Sequence, residues 1–176
     1  MAIYRNAVVG FAPVCDCETR ILILGSAPSR ASLSVRQYYG NPHNQFWRLL
    51  SRVIDMDLTK LSYEQRLQRL LARGIGLWDV IAACEREGSL DSAIRSAKPN
   101  DFGRLRQQCP KLKRICFNGK TAGKYEVQFK DAGYSTLVLP SSSPAHARLS
   151  LEQKLAIWRQ IIKLVNSARI NGKASV

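Results

Sequence analysis

The stretch "RILILG", residues 20–25, is almost wholly apolar and ends in glycine. Strands that are buried on both faces of a sheet read as short continuous apolar runs of this kind. We therefore predict a central strand here. Three similar runs predict three more strands: "IGLWDVI" at 75–81, "KRICFNG" at 113–119 and "STLVLP" at 135–140.

Segments with helical character separate these runs, and they cover residues 44–55, 62–74, 101–108, 120–133 and 150–165. Side chains typical of helix starts precede four of them. The predicted caps are the capping boxes Ser62/Gln65 and Ser150/Gln153, and the N-caps Asn41 and Asp101.

Strands that alternate with helices predict a parallel sheet covered by helices on both faces. We therefore expect an α/β fold, a three-layer α/β/α sandwich with a central four-stranded parallel sheet. A length of 176 residues suits one domain over residues 1–176. We expect flexible ends at residues 1–10 and 167–176.

The chain carries 27 Lys and Arg residues against 13 Asp and Glu residues, a formal net charge of +14. The basic residues are spread along the chain, which favours a folded surface that meets phosphates over a disordered arm. A basic surface that is merely solvated is the alternative. No apolar run reaches the roughly 18 residues of a membrane span, and no signal-peptide pattern opens the chain, so we expect a cytoplasmic protein.

The sequence lacks the motifs that are typical of several kinds of site. The five cysteines form no C-x-x-C pair, so neither a zinc site nor an iron–sulfur cluster is expected. A phosphate-binding loop and a zinc deaminase signature are also missing. A serine hydrolase needs a serine, a histidine base and an acid, and Ser26 with His146 and Asp79 is the conceivable set.

Polar side chains follow each predicted strand. The four loops begin at Ser26, Asp79, Asn118 and Ser141. Each loop taken alone is explained by an ordinary turn or cap. In parallel sheets, however, ligands bind beyond the carboxyl ends of the strands, and the four loops meet at that edge. The sequence therefore predicts a ligand site there.

Five motifs resemble, in order and spacing, those of the uracil-DNA glycosylase superfamily, and most closely its hypoxanthine-DNA (deoxyinosine) glycosylase branch. The resemblance runs from Phe11 to Val165. The motifs are "ILILGSAPSRASL", "YYGNPHNQFW", "GIGLWDVIAACEREGSLDSAI", "FNGKTA" and "LPSSSPAHA".

This resemblance implies a monofunctional enzyme that flips a damaged base out of DNA and hydrolyses its N-glycosidic bond without a metal or cofactor. The implied partner is double- or single-stranded DNA containing a deaminated base, and we expect a monomer associated with the nucleoid. Hypoxanthine is the leading base. Uracil excision by the same chemistry and a non-catalytic nucleic-acid-binding module are the alternatives.

The resemblance also implies roles for single residues. Asn44 and Asn118 match catalytic asparagines, and Tyr39 and Asp79 match residues that stack on the base and read its edge. The backbone at Gly25, Ser26 and Ala27 would hold the departing base. The implied DNA contacts are Ser29, Lys120, Ser141, Ser142, Ser143, His146 and Arg148.

Four departures from the family pattern stand out. Ala27 is smaller than the usual residue of its motif, Asn41 replaces a histidine, and Gln45 replaces an arginine. The bulky wedge of the uracil enzymes is replaced by residues 145–147, "AHA". These changes bear on base preference and DNA affinity more than on the class of reaction.

Overall fold

The structure is a computed structural model and describes residues 6–163. It contains seven strands, which are β1 (Ala7–Val9), β2 (Ile21–Gly25), β3 (Ile75–Asp79), β4 (Ile81–Arg86), β5 (Ile94–Pro99), β6 (Arg114–Asn118) and β7 (Ser135–Leu139). Its α-helices are α1 (Arg30–Val35), α2 (Phe46–Val53), α3 (Tyr63–Leu71), α4 (Leu105–Gln108), α5 (Lys120–Gly123), α6 (Glu126–Asp131) and α7 (Leu151–Trp158).

A four-stranded parallel sheet with the order β3-β2-β6-β7 lies at the centre. All five residues of β2 are buried. Ile21 and Ile23 pack into one apolar cluster, whereas Leu22 and Leu24 pack into another on the opposite face. The first cluster takes side chains from α2, α3 and α7, and the second takes them from α4, α5 and α6. The predicted three-layer α/β/α fold is confirmed.

The two predicted capping boxes are present. The Ser62 side chain accepts a hydrogen bond from the Gln65 N–H, and the Gln65 side-chain oxygen accepts one from the Ser62 N–H. Ser150 and Gln153 pair in the same way. The predicted N-cap Asn41 is wrong, because α2 begins only at Phe46. The side chain of Asn41 instead accepts a hydrogen bond from the backbone N–H of His43, in the turn before the helix.

Two other predicted helices have different bounds. The helix expected from Asp101 begins at Leu105, because the Asp101 side chain closes a local turn by accepting from Gly103 N–H. The single helix expected over residues 120–133 is divided into α5 and α6. In addition, α1 occupies part of the predicted polar loop, with Ser29 as its N-cap.

A second sheet, antiparallel with the order β1-β4-β5, was not predicted. The run 75–81 is not one strand, because the chain leaves the parallel sheet after Asp79. There the N–H of Val80 donates to the Gly25 carbonyl and that of Ile81 to the Ser26 carbonyl. The stretch that follows, β4, then pairs with β1 and β5.

The chain ends were predicted to be flexible over residues 1–10 and 167–176. That prediction is wrong for Ala7–Val9, which form β1 and pair with β4. The remaining part before residue 6 and the C-terminal segment lie outside the described residues. Across residues 6–163, no helix has the length and apolar character needed to cross a membrane.

Candidate active site

A pocket of about 290 Å³ opens at the carboxyl edge of the parallel sheet. We call it the strand-end pocket. It collects residues from the ends of all four parallel strands and from the segment before α2. The predicted site residues that line it are Gly25, Ser26, Ala27, Ser29, Tyr39, Asn44, Asp79, Asn118, Lys120, Ser141, Ser142, Ser143 and His146.

One predicted DNA contact, Arg148, is exposed and does not line the strand-end pocket. It lies just beyond the serine loop, the name we give to residues 141–147. Lys120 is also exposed, but it lies at the pocket itself, at the start of α5. Both cations are therefore placed for contacts with an anionic partner outside the pocket rather than with a group deep within it.

Asn44 stands at the entrance to α2 and is half-buried. Its side-chain Oδ1 accepts a hydrogen bond of 2.9 Å from the Phe46 N–H, and its own N–H donates to the Asn41 carbonyl at 2.9 Å. Because a backbone N–H can pair only with the amide oxygen, this contact fixes which side-chain atom is oxygen. The NH₂ group has no hydrogen-bond partner within residues 6–163 and remains a free donor at the pocket.

Asn118 joins the end of β6 to the serine loop. Its Nδ2 donates to the Ser142 hydroxyl at 2.8 Å, and its Oδ1 accepts from the Ser142 N–H at 2.9 Å. The Ser142 carbonyl in turn accepts from the N–H of Gln45 at 3.0 Å. A continuous chain of hydrogen bonds thus connects the two predicted catalytic asparagines, since Gln45 directly follows Asn44.

A buried lysine supports the same chain of hydrogen bonds. Lys154 of α7 donates to the Gln45 side-chain oxygen at 2.9 Å, and burial lowers its pKa. On the same helix, the Trp158 indole N–H donates to the Pro140 carbonyl at 3.0 Å, directly before the serine loop. The helix α7 therefore holds both the start of α2 and the serine loop in place.

Tyr39 presents an aromatic ring at the pocket. The ring stacks on Phe46 with a centroid distance of 3.6 Å and an interplanar angle of 6°. Its hydroxyl is buried without a hydrogen-bond partner in residues 6–163. Burial, and secondly the charge of Asp79, raise the pKa of this hydroxyl, so it stays protonated and can donate.

Asp79 ends β3 and lies at the base of the pocket with only 4% of its surface exposed. Its Oδ2 has no hydrogen-bond partner among the described residues. Burial raises the pKa of this carboxyl to about 7, with a further increase from Asp91 and an opposing effect of Arg86. Near neutral pH the group is therefore divided between a hydrogen-bond donor and a carboxylate.

Gly25 leaves room for these two polar groups. A Cβ atom at this position would lie 2.5 Å from Asp79 Oδ1 and 3.1 Å from the Tyr39 hydroxyl oxygen. The first distance is too short for any side chain without movement of the carboxyl group. The glycine at the end of the fold-determining strand is thus what lets both groups converge on the pocket.

A turn that the sequence did not predict as part of the site also lines the pocket. Residues 89–91, which we call the rim turn, lie between β4 and β5. Its Asp91 accepts a hydrogen bond from the Ser26 hydroxyl at 2.8 Å. Gly88, in the largely polar stretch 85–92, could have indicated a turn here, and it adopts a positive φ of 72°.

The rim turn also provides a test of the serine hydrolase alternative. That alternative requires the Ser26 hydroxyl to donate to a histidine. Its partner is instead the carboxylate of Asp91, which does not orient or activate a serine in the manner of a catalytic triad. The set Ser26, His146 and Asp79 is therefore wrong as a nucleophilic triad.

Comparison with known proteins gives matches over most of the chain. The profile of a family described as the Uracil DNA glycosylase superfamily matches residues 12–162. Two relatives named hypoxanthine DNA glycosylase are similar over 154 residues, which is 88% of this chain and 97% of each relative. The protein of Methanosarcina acetivorans is 48% identical and that of Methanosarcina barkeri 46% identical.

A solved structure is also similar. It is a solution NMR structure from Methanosarcina acetivorans, provisionally named a uracil DNA glycosylase, with a TM-score of 0.79 at 47% sequence identity. The match covers 88% of this chain and 98% of that one. The fold and the sequence therefore point to the same family.

Proposed function

The chain belongs to the uracil-DNA glycosylase superfamily, and we propose that it is a DNA glycosylase that releases hypoxanthine from deoxyinosine. It acts on DNA, flips the deaminated nucleotide into the strand-end pocket and hydrolyses the bond between base and sugar. The product is an abasic site in an uncut strand. The enzyme works as a monomer on cytoplasmic DNA.

The observation that carries this proposal is the state of Asn44. Its carboxamide lies at the pocket with its oxygen held by Phe46 N–H and its NH₂ group free. An amide does not ionise near neutral pH, so it is not a proton-abstracting base. It serves instead to position water and to donate a hydrogen bond as charge develops.

The departing base gains negative charge as the bond to the sugar breaks. Backbone N–H groups of Ser26 and Ala27 make no backbone hydrogen bond within residues 6–163 and stand at the pocket lip. Together with the second amide hydrogen of Asn118, they supply donors for this charge. A preorganised donor of this kind is worth roughly 2.7–4 kcal/mol in a transition state.

The size and polarity of the pocket suit a deaminated base. Its volume of about 290 Å³ is large enough for a purine and also for the smaller uracil. Neutral Asp79 can accept from the N–H of hypoxanthine and donate to its carbonyl oxygen. Uracil offers the same two groups, so uracil excision is the second candidate, and the names of the two relatives favour hypoxanthine.

A panel of labelled oligonucleotides tests the proposal. Each carries inosine, uracil, xanthine or ethenoadenine and is incubated with the protein, then heated in alkali to cleave abasic sites. We expect fastest cleavage at inosine. Faster cleavage at uracil would favour the second candidate. Intact strands throughout, despite retained DNA binding, would contradict the enzyme assignment and indicate a binding module.

We expect Tyr39→Ala to weaken capture of the flipped base. Stacking of a base on an aromatic ring contributes roughly 1–3 kcal/mol, so excision at limiting substrate should fall roughly 10- to 100-fold. The measurement is kcat/KM on inosine duplexes. Tyr39→Phe is the matched control, because it keeps the ring stacked on Phe46 and removes only the hydroxyl.

An equal loss in Tyr39→Phe would assign the effect to the hydroxyl rather than to stacking. Normal excision by Tyr39→Ala would remove the ring from the account of base capture. Thermal melting of both variants separates these results from instability, since the ring also packs on Phe46.

A further inference from the structure

The rim turn and the serine loop reach the strand-end pocket from different edges of the parallel sheet. The rim turn follows the edge strand β3 through β4, whereas the serine loop follows the other edge strand, β7. Both line the pocket. A nucleotide that enters this pocket would therefore lie near both segments.

Leu90, in the rim turn, is an apolar side chain exposed at the pocket. It is 56% exposed. Of the large hydrophobic side chains that are exposed within residues 6–163, which are Val9, Val35, Leu90, Val127 and Val138, it is the one that lines the strand-end pocket. Single exposed apolar residues are common on protein surfaces, so its exposure alone does not assign a role.

Two hydrogen bonds hold the backbone on either side of Leu90. The hydroxyl of Ser89 accepts from the Arg30 N–H at 3.1 Å, and the carboxylate of Asp91 accepts from the Ser26 hydroxyl at 2.8 Å. The rim turn is thus attached to the segment after β2, residues 26–30, most of which lines the edge of the pocket. Leu90 is presented at a fixed place next to the pocket rather than on a free loop.

Extrusion of a nucleotide leaves an unfilled space in the base stack, and loss of stacking costs a few kcal/mol. Proteins that unstack DNA commonly insert an apolar side chain such as leucine between bases. The tip of the serine loop, which also contributes to the pocket lining, offers two alanines and His146. Leu90 is the larger apolar group available at this edge.

Cationic groups flank the rim turn. Arg30, whose backbone N–H donates to the Ser89 hydroxyl, and Arg95, whose guanidinium donates to the Ser92 and Ile94 carbonyls at 2.8 Å, are both exposed. Neither takes part in a salt bridge within the described residues. They are therefore free to meet the phosphates that border an opened base step.

We infer that Leu90 enters the DNA stack from the rim turn and occupies the space that the extruded nucleotide leaves. The inference rests on the proposed glycosylase function. Leu90 is in this account a positioning residue, because it stabilises the extruded state and does not touch the bond that breaks.

Leu90→Ala in the full chain tests the inference under single-turnover conditions. Two inosine duplexes are compared, one with cytosine opposite the lesion and one with a pyrene nucleotide there. Pyrene fills the vacated space by itself. We expect excision from the first duplex to fall roughly 10- to 100-fold, as for loss of one buried leucine, and excision from the pyrene duplex to stay near that of the parent protein.

The matched control is Val127→Ala, which shortens a side chain that is 65% exposed on α6 and outside the pocket. It should leave both rates unchanged. Leu90→Met, which keeps an apolar side chain of similar length, should retain most activity. Equal losses on both duplexes, or no loss on either, would overturn the role of Leu90 in an active enzyme. A parent protein that releases no base from either duplex would instead contradict the proposed function itself, and the inference would fall with it.

Discussion

Replacing Asn44 with alanine is expected to slow base release roughly 100- to 1,000-fold, the usual effect of removing one transition-state donor. The change removes the NH₂ group that is free at the pocket. It also removes the acceptor for the Phe46 N–H, which costs about 1 kcal/mol of stability in typical helix caps. DNA binding should persist, because the phosphate contacts expected at Lys120 and Arg148 do not involve Asn44. Single-turnover excision and a binding titration measure the two effects.

A second variant, Asn44→Asp, separates the two functions of this side chain. The carboxylate still accepts from Phe46 N–H but has no hydrogen to donate. We expect it to fold normally and to remain slow. Asn41→Ala is the control, because Asn41 lies three residues earlier, outside the strand-end pocket. Near-normal excision by Asn44→Ala would refute the catalytic assignment.

Replacing Asp79 with asparagine is expected to stabilise the protein increasingly as the pH rises. The folded carboxyl has a pKa of about 7 against an ordinary value of 3.8. Between these values the folded protein keeps a proton that the unfolded chain releases, so the free energy of unfolding of the parent protein falls from pH 4 to pH 7 and then levels off. One pKa unit corresponds to about 1.4 kcal/mol.

The stability gained by Asp79→Asn should therefore be near zero at pH 4 and a few kcal/mol at pH 8, up to roughly 4 kcal/mol. Urea unfolding at both pH values measures it. The control is Asp131→Asn, at an exposed aspartate, which should show no such trend. A stabilisation that is equal at the two pH values would show that Asp79 carries no raised pKa.

The same titration bears on excision. If Asp79 reads the base as proposed, only its protonated form can donate to the carbonyl oxygen of the base, and its carboxylate would repel that oxygen. We expect kcat/KM of the parent protein to fall as the pH rises above about 7. The asparagine variant keeps an NH₂ donor at every pH, so this decline should be missing from its profile.

The parallel sheet was predictable because each of its strands is a short apolar run, as "RILILG" is. The capping boxes at Ser62 and Ser150 were predictable for a similar reason, since their partners lie three residues away. The antiparallel sheet was not, because Ala7–Val9 are too few to give a pattern and Ile81 follows Asp79 without a polar break. Its pairing depends on contacts distant in sequence.

The location of the candidate site in the fold was predictable where a strand end fixes it, as at Gly25, Asp79 and Asn118, which all line the pocket. Arg148 was placed in the site by its charge, and the structure puts it outside the pocket. The rim turn was missed because it reaches the pocket through the unpredicted sheet. The hydrogen bond from Gln45 to Ser142 was equally beyond prediction, since it joins segments about a hundred residues apart.

The exit of the chain from the central sheet at Val80 has a consequence for protein engineering. A single residue separates Asp79, at the base of the cavity, from the β4–β5 hairpin that carries Leu90 at its border. Asp79 and Leu90 therefore belong to one continuous segment, residues 79–99. If Asp79 and Leu90 have the roles proposed above, exchanging residues 79–99 between relatives is expected to change base preference and duplex contact together.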